Sequence, residues 1–489
     1  MRSLRAQVGV RVLSEAVLAL RGVVLIPVLA RTLGVAGYGA FTQVWLTAQV
    51  LTPFISLSVE NAVVQRVAAS AGATARESAL GNALVMSATL AVIVLAAGIT
   101  PLGPLLAQAT MGDSAFQPEL LAALVLAGLG GPIAIGLGYL QGLQKIEAAS
   151  ALHVCRSFAS ALIMIGVALA GFGLRSVMLS AVLADIAFLA VLCIVIRPKV
   201  SWGEVSTREI RWMAAFALPF AAGNVLYLAL NALPRFFLVH AMGLAAVAVF
   251  SATISLANPL LQVAGAVQYV IYPAATRQTH GEGIGAAAGL VARSATAVLC
   301  FASFALVGLC VLGAPILAAL TEGRLTSSPR EFATIGYGML FLGLYRVVVV
   351  YQMMGGNSKA LLAPLTLSAI IVGLASWSLV PHAGAIGAAQ AFLLGCATLL
   401  GYAGWQLRAS ALASVLADMR PLHTRAGIAL LVPVLSVLVL PARSRSLSFL
   451  YVALGLAAVA TIWFAFGGAR LFRNAIAPAT RDRYSEASL

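Results

Sequence analysis

Fourteen apolar windows, most of them about span length, follow one another along this chain with short polar breaks between them: 12–31, 41–65, 79–99, 120–140, 148–170, 176–196, 212–239, 244–272, 285–312, 332–354, 360–380, 384–406, 424–440 and 447–468. A helix needs about 20 predominantly apolar residues to cross the hydrocarbon of a bilayer, where the backbone must satisfy its own polar groups. Repetition of that unit predicts an all-α polytopic membrane protein with about 14 transmembrane helices, twelve being the fallback count. Charge content points the same way. Only 9% of the 489 residues are charged and 61% are hydrophobic, whereas a soluble protein carries roughly 25% charged residues. A soluble enzyme, a secreted disulfide scaffold and a disordered chain are excluded.

The formal net charge is +15, with 27 of the 30 basic residues Arg. Such an excess can signal nucleic acid, but here it falls between apolar windows and reports topology instead. With the N-terminus inside, the inner loops and termini hold 20 Lys/Arg and the outer loops 6. The positive-inside rule therefore puts both termini in the cytoplasm. The opening MRSLRAQVGVR precedes an apolar run that continues past Pro27, which reads as an uncleaved first helix rather than a signal peptide. Residues 197–211 read as an amphipathic cytoplasmic linker. It separates an N-lobe, 1–196 (spans 1–6), from a C-lobe, 212–406 (spans 7–12), and 407–489 add spans 13 and 14 with a cytoplasmic tail. Cys155, Cys193, Cys300, Cys310 and Cys396 lie in apolar runs without CxxC or Cys/His spacing, so neither disulfide nor metal is inferred. No GxxxxGK[ST] loop, catalytic constellation or cofactor motif is present.

The two lobes share a weak internal repeat. RTLGVAGYGAF (31–41) lies in register with HAMGLAAVAVF (240–250), placing Gly34 over Gly243 and Phe41 over Phe250. GLQKIEAASAL (142–152) has an approximate counterpart in GGNSKALLAPL (355–365), and GFGLRSVMLSAVLA (171–184) in AGAIGAAQAFLLG (383–395). Three matches in one order, separated by an even number of spans, indicate a parallel repeat about an axis along the membrane normal.

Arg21, Arg156, Arg235 and Arg346 fall within spans, accompanied by Glu60, His153 and Asp185. Each such Arg costs about 2.5–3.5 kcal/mol at the bilayer centre on insertion scales, so it should meet a wet cavity, an acid or an interface. A net cationic interior suits an anionic ligand, because guanidinium offers planar paired donors to phosphate oxygens. The bland readings are snorkelling, strongest for Arg235, and an internal Arg156–Asp185 ion pair. Asn224, Tyr227, Asn231 and Arg235 share one face of span 7, and Ser251, Ser255, Asn258 and Gln262 one face of span 8. Both stripes suit a sugar-accommodating groove, or else interhelical hydrogen bonding. His153, Arg156 and Ser160 give span 5 a basic strip. Glu60, His153 and Asp185 are candidates for ion coupling, with an interfacial carboxylate the competing reading for Glu60 and a plain hydrogen-bonded helix residue that for His153. Pro27, Pro53, Pro132, Pro219, Pro234, Pro259, Pro364 and Pro433 interrupt spans and permit kinks.

The segment LRGVVLIPVLARTLGVAGYGAFTQVW (20–45) resembles the opening of bacterial oligosaccharide flippases, the O-antigen and exopolysaccharide translocases of the multidrug/oligosaccharidyl-lipid/polysaccharide (MOP) exporter superfamily. Arg21, Pro27, Arg31, Leu33, Gly34, Tyr38 and Gly39 carry the likeness. LPRFFLVHAMG (233–243) keeps the family's Arg235 and Gly243 but has Pro234 where Asp is usual. YPAATR (272–277) and HAGAIGAAQA (382–391) are similar to later family segments. The resemblance implies a MATE-like fold of two six-helix lobes around a central cavity, multi-pass in the bacterial inner membrane. It also implies a non-enzymatic activity, the flipping of undecaprenyl-pyrophosphate-linked oligosaccharide for lipopolysaccharide, O-antigen or exopolysaccharide assembly. Arg21, Arg156 and Arg346 would hold the pyrophosphate, with Arg235 and the stripes of spans 7 and 8 completing the cavity. Partners would be the lipid-linked oligosaccharide and membrane lipids, with polysaccharide polymerase or assembly proteins as further candidates, and no nucleic acid. The alternatives are an ion-coupled multidrug exporter or a peptidoglycan lipid-precursor flippase of the same superfamily, and, less favoured, a membrane polysaccharide polymerase or ligase.

Overall fold

A computed structural model describes residues 21–70, 72–197, 205–281, 283–354, 361–408 and 410–418. Among them all regular structure is helical. The helices are α1 (residues 21–32), α2 (Gly34–Ser56), α3 (Glu60–Ala69), α4 (Ala73–Ile99), α5 (Leu102–Met111), α6 (Gln117–Gly142), α7 (Ile146–Leu169), α8 (Leu174–Ile196), α9 (Thr207–Gly281), α10 (Ile284–Leu320), α11 (Pro329–Met354), α12 (Leu362–Leu407) and α13 (Ala411–Asp418). Eight helices, counted among the described residues, are long and apolar enough to cross a membrane. Two of them are interrupted: α9 at Gly243 (φ 77°, ψ −179°) and α12 at Gly384 (φ 56°, ψ −131°). These breaks separate the windows expected at 212–239 and 244–272, and at 360–380 and 384–406. The windows 424–440 and 447–468, the tail and residues 198–204 of the 197–211 linker lie outside the described residues.

Two elements depart from expectation. The window 41–65 is not one helix: α2 ends at Ser56 and α3 restarts at Glu60, with Leu57 and Ser58 both left-handed (φ 47° and 52°). Local hydrogen bonds hold the break, since Ser58 N–H donates to the Ser56 hydroxyl at 3.0 Å and Asn61 Nδ2 to the Ser58 carbonyl at 3.2 Å. Ten-residue α5, too short to register as a span, folds back after α4 and ends on Gly112 (φ 82°).

By spatial proximity the chain divides into two compact units, the first comprising Met1–Leu256, Ile316–Ser327 and Ser358–Thr398, the second Ala257–Pro315, Ser328–Asn357 and Leu399–Leu489. In the first unit α6 packs against α2, α3, α4 and α8, and α7 against α8. Small residues along α6, Gly128, Gly131 and Gly136 among them, let these helices approach closely, as membrane helices require when lipid supplies no hydrophobic driving force. Large apolar side chains of α7 and α8 remain on the outside, including Leu162, Leu183 and Ile194 at 65%, 57% and 68% exposure. In water such a surface would drive association; against lipid it is the expected exterior.

The ends of the first unit are tied by charge. Arg31, closing α1, pairs with Glu322 at 3.2 Å and donates to the Leu320 carbonyl at 3.1 Å, while Arg324 donates back to the Arg31 carbonyl at 3.0 Å. Arg66, in the last turn of α3, grips Glu209 of α9 with two bonds of 2.7 and 2.9 Å and lies 4.9 Å from the Trp212 ring. The second unit has its own core of Ala264, Ile271, Val291, Val298, Val347 and Val350 with neighbouring apolar residues.

Candidate functional site

Three polar clusters hold most of the candidate residues. The first joins α1, α2, α7 and α8. Arg156 on α7 and Asp185 on α8 form a two-pronged pair, Nε to Oδ1 at 2.8 Å and Nη2 to Oδ2 at 2.7 Å. Asp185 is 4% exposed, and the Phe188 ring lies 5.9 Å from the Arg156 Cζ. The helix spacing explains the meeting: α7 and α8 are antiparallel neighbours joined by a tight turn at Gly171 (φ 83°), so residues equidistant from that turn face each other. This is the ion pair that the sequence offers as the alternative to cavity lining. It makes Asp185 a partner of Arg156 first and a coupling candidate only second.

Arg21 stands beside this pair. Its Nη1 donates to the Ser157 hydroxyl at 3.0 Å, its Cζ lies 4.8 Å from the Trp45 ring centroid, and its Nε has no hydrogen-bond partner. The structure thus sets Arg21 on a neutral hydroxyl and an aromatic face rather than on an acid. Ser157 and Trp45 were missed by helical-stripe reasoning because each meets Arg21 across a tertiary contact. His153 is half-buried one turn before Arg156 on α7.

The second cluster surrounds Arg235, which does not snorkel: it is 7% exposed, 6.0 Å from the Phe250 ring, and its Nε is unpartnered. Buried Tyr38 faces it, with Ser255 near the phenol. The local backbone makes this possible. Gly34 takes φ 74° where α1 turns into α2, Gly243 takes φ 77° where the halves of α9 meet, and a Cβ on Gly39 would run into the Leu244 carbonyl. The two glycines that the sequence repeat superposes therefore both sit in the left-handed region, where glycine alone is comfortable. On the same half of α9, Asn224 Nδ2 donates to the Ser58 hydroxyl at the α2–α3 break (3.1 Å), Asn231 Oδ1 is buried without a partner, and Tyr227 lies between them, half-buried.

The third cluster belongs to the second unit. Arg346 on α11 donates from Nε to Gln268 Oε1 at 3.1 Å. Gln268 lies on α9 beyond Asn258 and Gln262, both half-buried, as is Ser255. Glu60 lies at the α2–α3 break, two residues after the Ser58 whose hydroxyl Asn224 reaches. It is half-buried as the first residue of α3, with its carboxylate beside its own N–H and the Ser56 hydroxyl and its Oε2 buried without a hydrogen-bond partner. Among the described residues no group of three His, Cys, Asp or Glu could hold a metal ion.

The sequence profile of the family described as polysaccharide biosynthesis protein matches residues 4–278, more than half of the chain. No curated protein sequence matches it. Among solved structures, the lipid II flippase MurJ in an inward closed conformation is similar at TM-score 0.71 and 13% identity, covering 95% of this chain and 99% of that one. An inward-facing multidrug resistance MATE transporter of the MOP superfamily is similar at TM-score 0.58 and 15% identity, covering 82% and 96%. A MOP superfamily transporter from Pyrococcus furiosus is similar at TM-score 0.57 and 18% identity, covering 84% and 95%. At these identities the likeness establishes a shared helical fold. With the profile match, the chain belongs to the polysaccharide biosynthesis protein family.

Proposed function

We propose that this chain flips undecaprenyl-pyrophosphate-linked oligosaccharide repeat units from the cytoplasmic to the periplasmic leaflet of the bacterial inner membrane, for surface polysaccharide biosynthesis. The observation that carries the reading is the seating of helix-borne guanidiniums: Arg21 donates to a hydroxyl over an aromatic ring, and Arg346 donates to a carboxamide. A guanidinium carries its five N–H groups in a planar fork, the paired geometry that phosphate oxygens accept. Arg156 adds a third guanidinium with two of its five N–H groups taken by Asp185. In this account the pyrophosphate binds Arg21, Arg156 and Arg346, while the polar faces around Asn224–Arg235 and Ser251–Gln262 exchange hydrogen bonds with sugars. The prenyl tail stays in the bilayer. Lobes 1–196 and 212–406 rock about the substrate by alternating access, with both termini cytoplasmic and no covalent chemistry. Membrane-embedded polymerase or assembly proteins would take over the delivered units.

Deleting the gene tests the reading. Complete repeat units trapped on the cytoplasmic leaflet, with surface polymer lost and drug sensitivity unchanged, are expected. Unpolymerised units accumulating on the periplasmic leaflet would make the protein a polymerase or ligase, and normal glycan with raised drug sensitivity would make it a drug exporter. A block in lipid-linked peptidoglycan precursors would assign it to that substrate instead.

A further inference from the structure

Arg346 lies one turn beyond Gly343, where α11 comes close to the second half of α9: a Cβ built on Gly343 would lie 3.1 Å from the Ala264 Cβ. From there the guanidinium extends over α9. A Cβ built on Gly265 would lie 2.9 Å from Arg346 Nη1, 3.4 Å from Cζ and 3.7 Å from Nη2, so Arg346 occupies the space that a side chain at 265 would need. One turn further, Gln268 Oε1 accepts from Nε at 3.1 Å. Asn258, Gln262 and Gly265 follow at spacings of four and three, so the seat continues the polar stripe that begins at Ser251.

We infer that Gly265 and Gln268 are positioning residues for Arg346: the glycine is the seat on which the guanidinium lies, and the carboxamide fixes its Nε edge. The inference rests on the reading of Arg346 as a pyrophosphate ligand. A long, flexible arginine presents a defined donor edge only where its surroundings hold it, and binding geometry is lost when it shifts. Gln268 supplies that hold through a neutral acceptor, which orients the guanidinium without bringing an opposite charge to it. Arg156 is held by the other device, a carboxylate.

The obstacle an alanine would meet at 265 is the far end of a flexible side chain, not backbone. Gly265→Ala therefore displaces the guanidinium while α9 keeps its path, and alanine in a helix interior is intrinsically favourable. The experiment is binding of undecaprenyl pyrophosphate to the purified full chain in detergent, with uncharged undecaprenol as the reference. Gly265→Ala and Gln268→Leu are each expected to weaken undecaprenyl pyrophosphate by about tenfold, as loss of one oriented hydrogen bond to a charged group would. Undecaprenol binding and thermal stability should not move, and either change should have no effect when added to Arg346→Ala. Wild-type affinity in both single variants, with affinity lost in Arg346→Ala, overturns the positioning role and leaves the pyrophosphate reading standing. Full additivity with Arg346→Ala also overturns it. Wild-type affinity in Arg346→Ala overturns both.

Discussion

Asp185 receives two short hydrogen bonds from Arg156 while 4% exposed, and Arg156 has a side chain 23% exposed. Removing one partner of a buried pair leaves an uncompensated charge, whereas replacing both by apolar residues of similar size is often neutral. Arg156→Leu alone should therefore destabilise the protein by about 3 kcal/mol, and Arg156→Leu with Asp185→Leu should recover most of the loss. Thermal unfolding in detergent checks the stability, and transport by the stable double variant checks the role. If Arg156 binds substrate, the double variant is folded and inactive; full transport would reduce the pair to a structural tie. At this scale the sequence showed which charged residues lie in helices, and it offered the Arg156–Asp185 pair. It did not show that Arg21 rests on Ser157 and Trp45, or that Gln268 holds Arg346. Those partners come from other helices, and spacing within one helix carries no information about them.

Helix boundaries were more legible, because hydropathy reports membrane crossing directly. The glycines that break α9 and α12 fall at or next to the boundaries between windows. The break after α2 carries no sequence signal, because Leu57 and Ser58 are ordinary residues in a left-handed conformation held by local hydrogen bonds, with no glycine or proline at the break itself. Gly34 and Gly243 give the internal repeat a physical basis: both copies need a residue at positive φ where one helix turns into the next. At Gly243 a Cβ would meet nothing within 4 Å, so the cost of Gly243→Ala is conformational alone, about 1–3 kcal/mol. Gly39→Ala should be at least as damaging for the opposite reason, since its φ is ordinary but its Cβ would strike the Leu244 backbone. Gly401→Ala, in an open helical position, should be neutral or slightly stabilising. Melting temperatures of the three variants in one detergent test this order, and equal melting temperatures would contradict it.

For the whole molecule, low charge content forces membrane insertion, and an excess of Arg over acidic residues in the spans then favours an anionic cargo. A cation-exporting relative would be expected to place acids where this chain places Arg21 and Arg346. Coupled to the family assignment, that sign of charge is what turns a shared helical fold into a specific transport reading, since fold by itself does not fix function. The most direct test is reconstitution of the purified chain into liposomes carrying a fluorescent prenyl-pyrophosphate-linked oligosaccharide, with leaflet accessibility followed over time. The account predicts protein-dependent transfer of this lipid between leaflets, abolished in the Arg21→Ala, Arg346→Ala double variant, and no transport of a cationic dye. Transfer no faster than in protein-free liposomes, or undiminished transfer by the folded double variant, would contradict it.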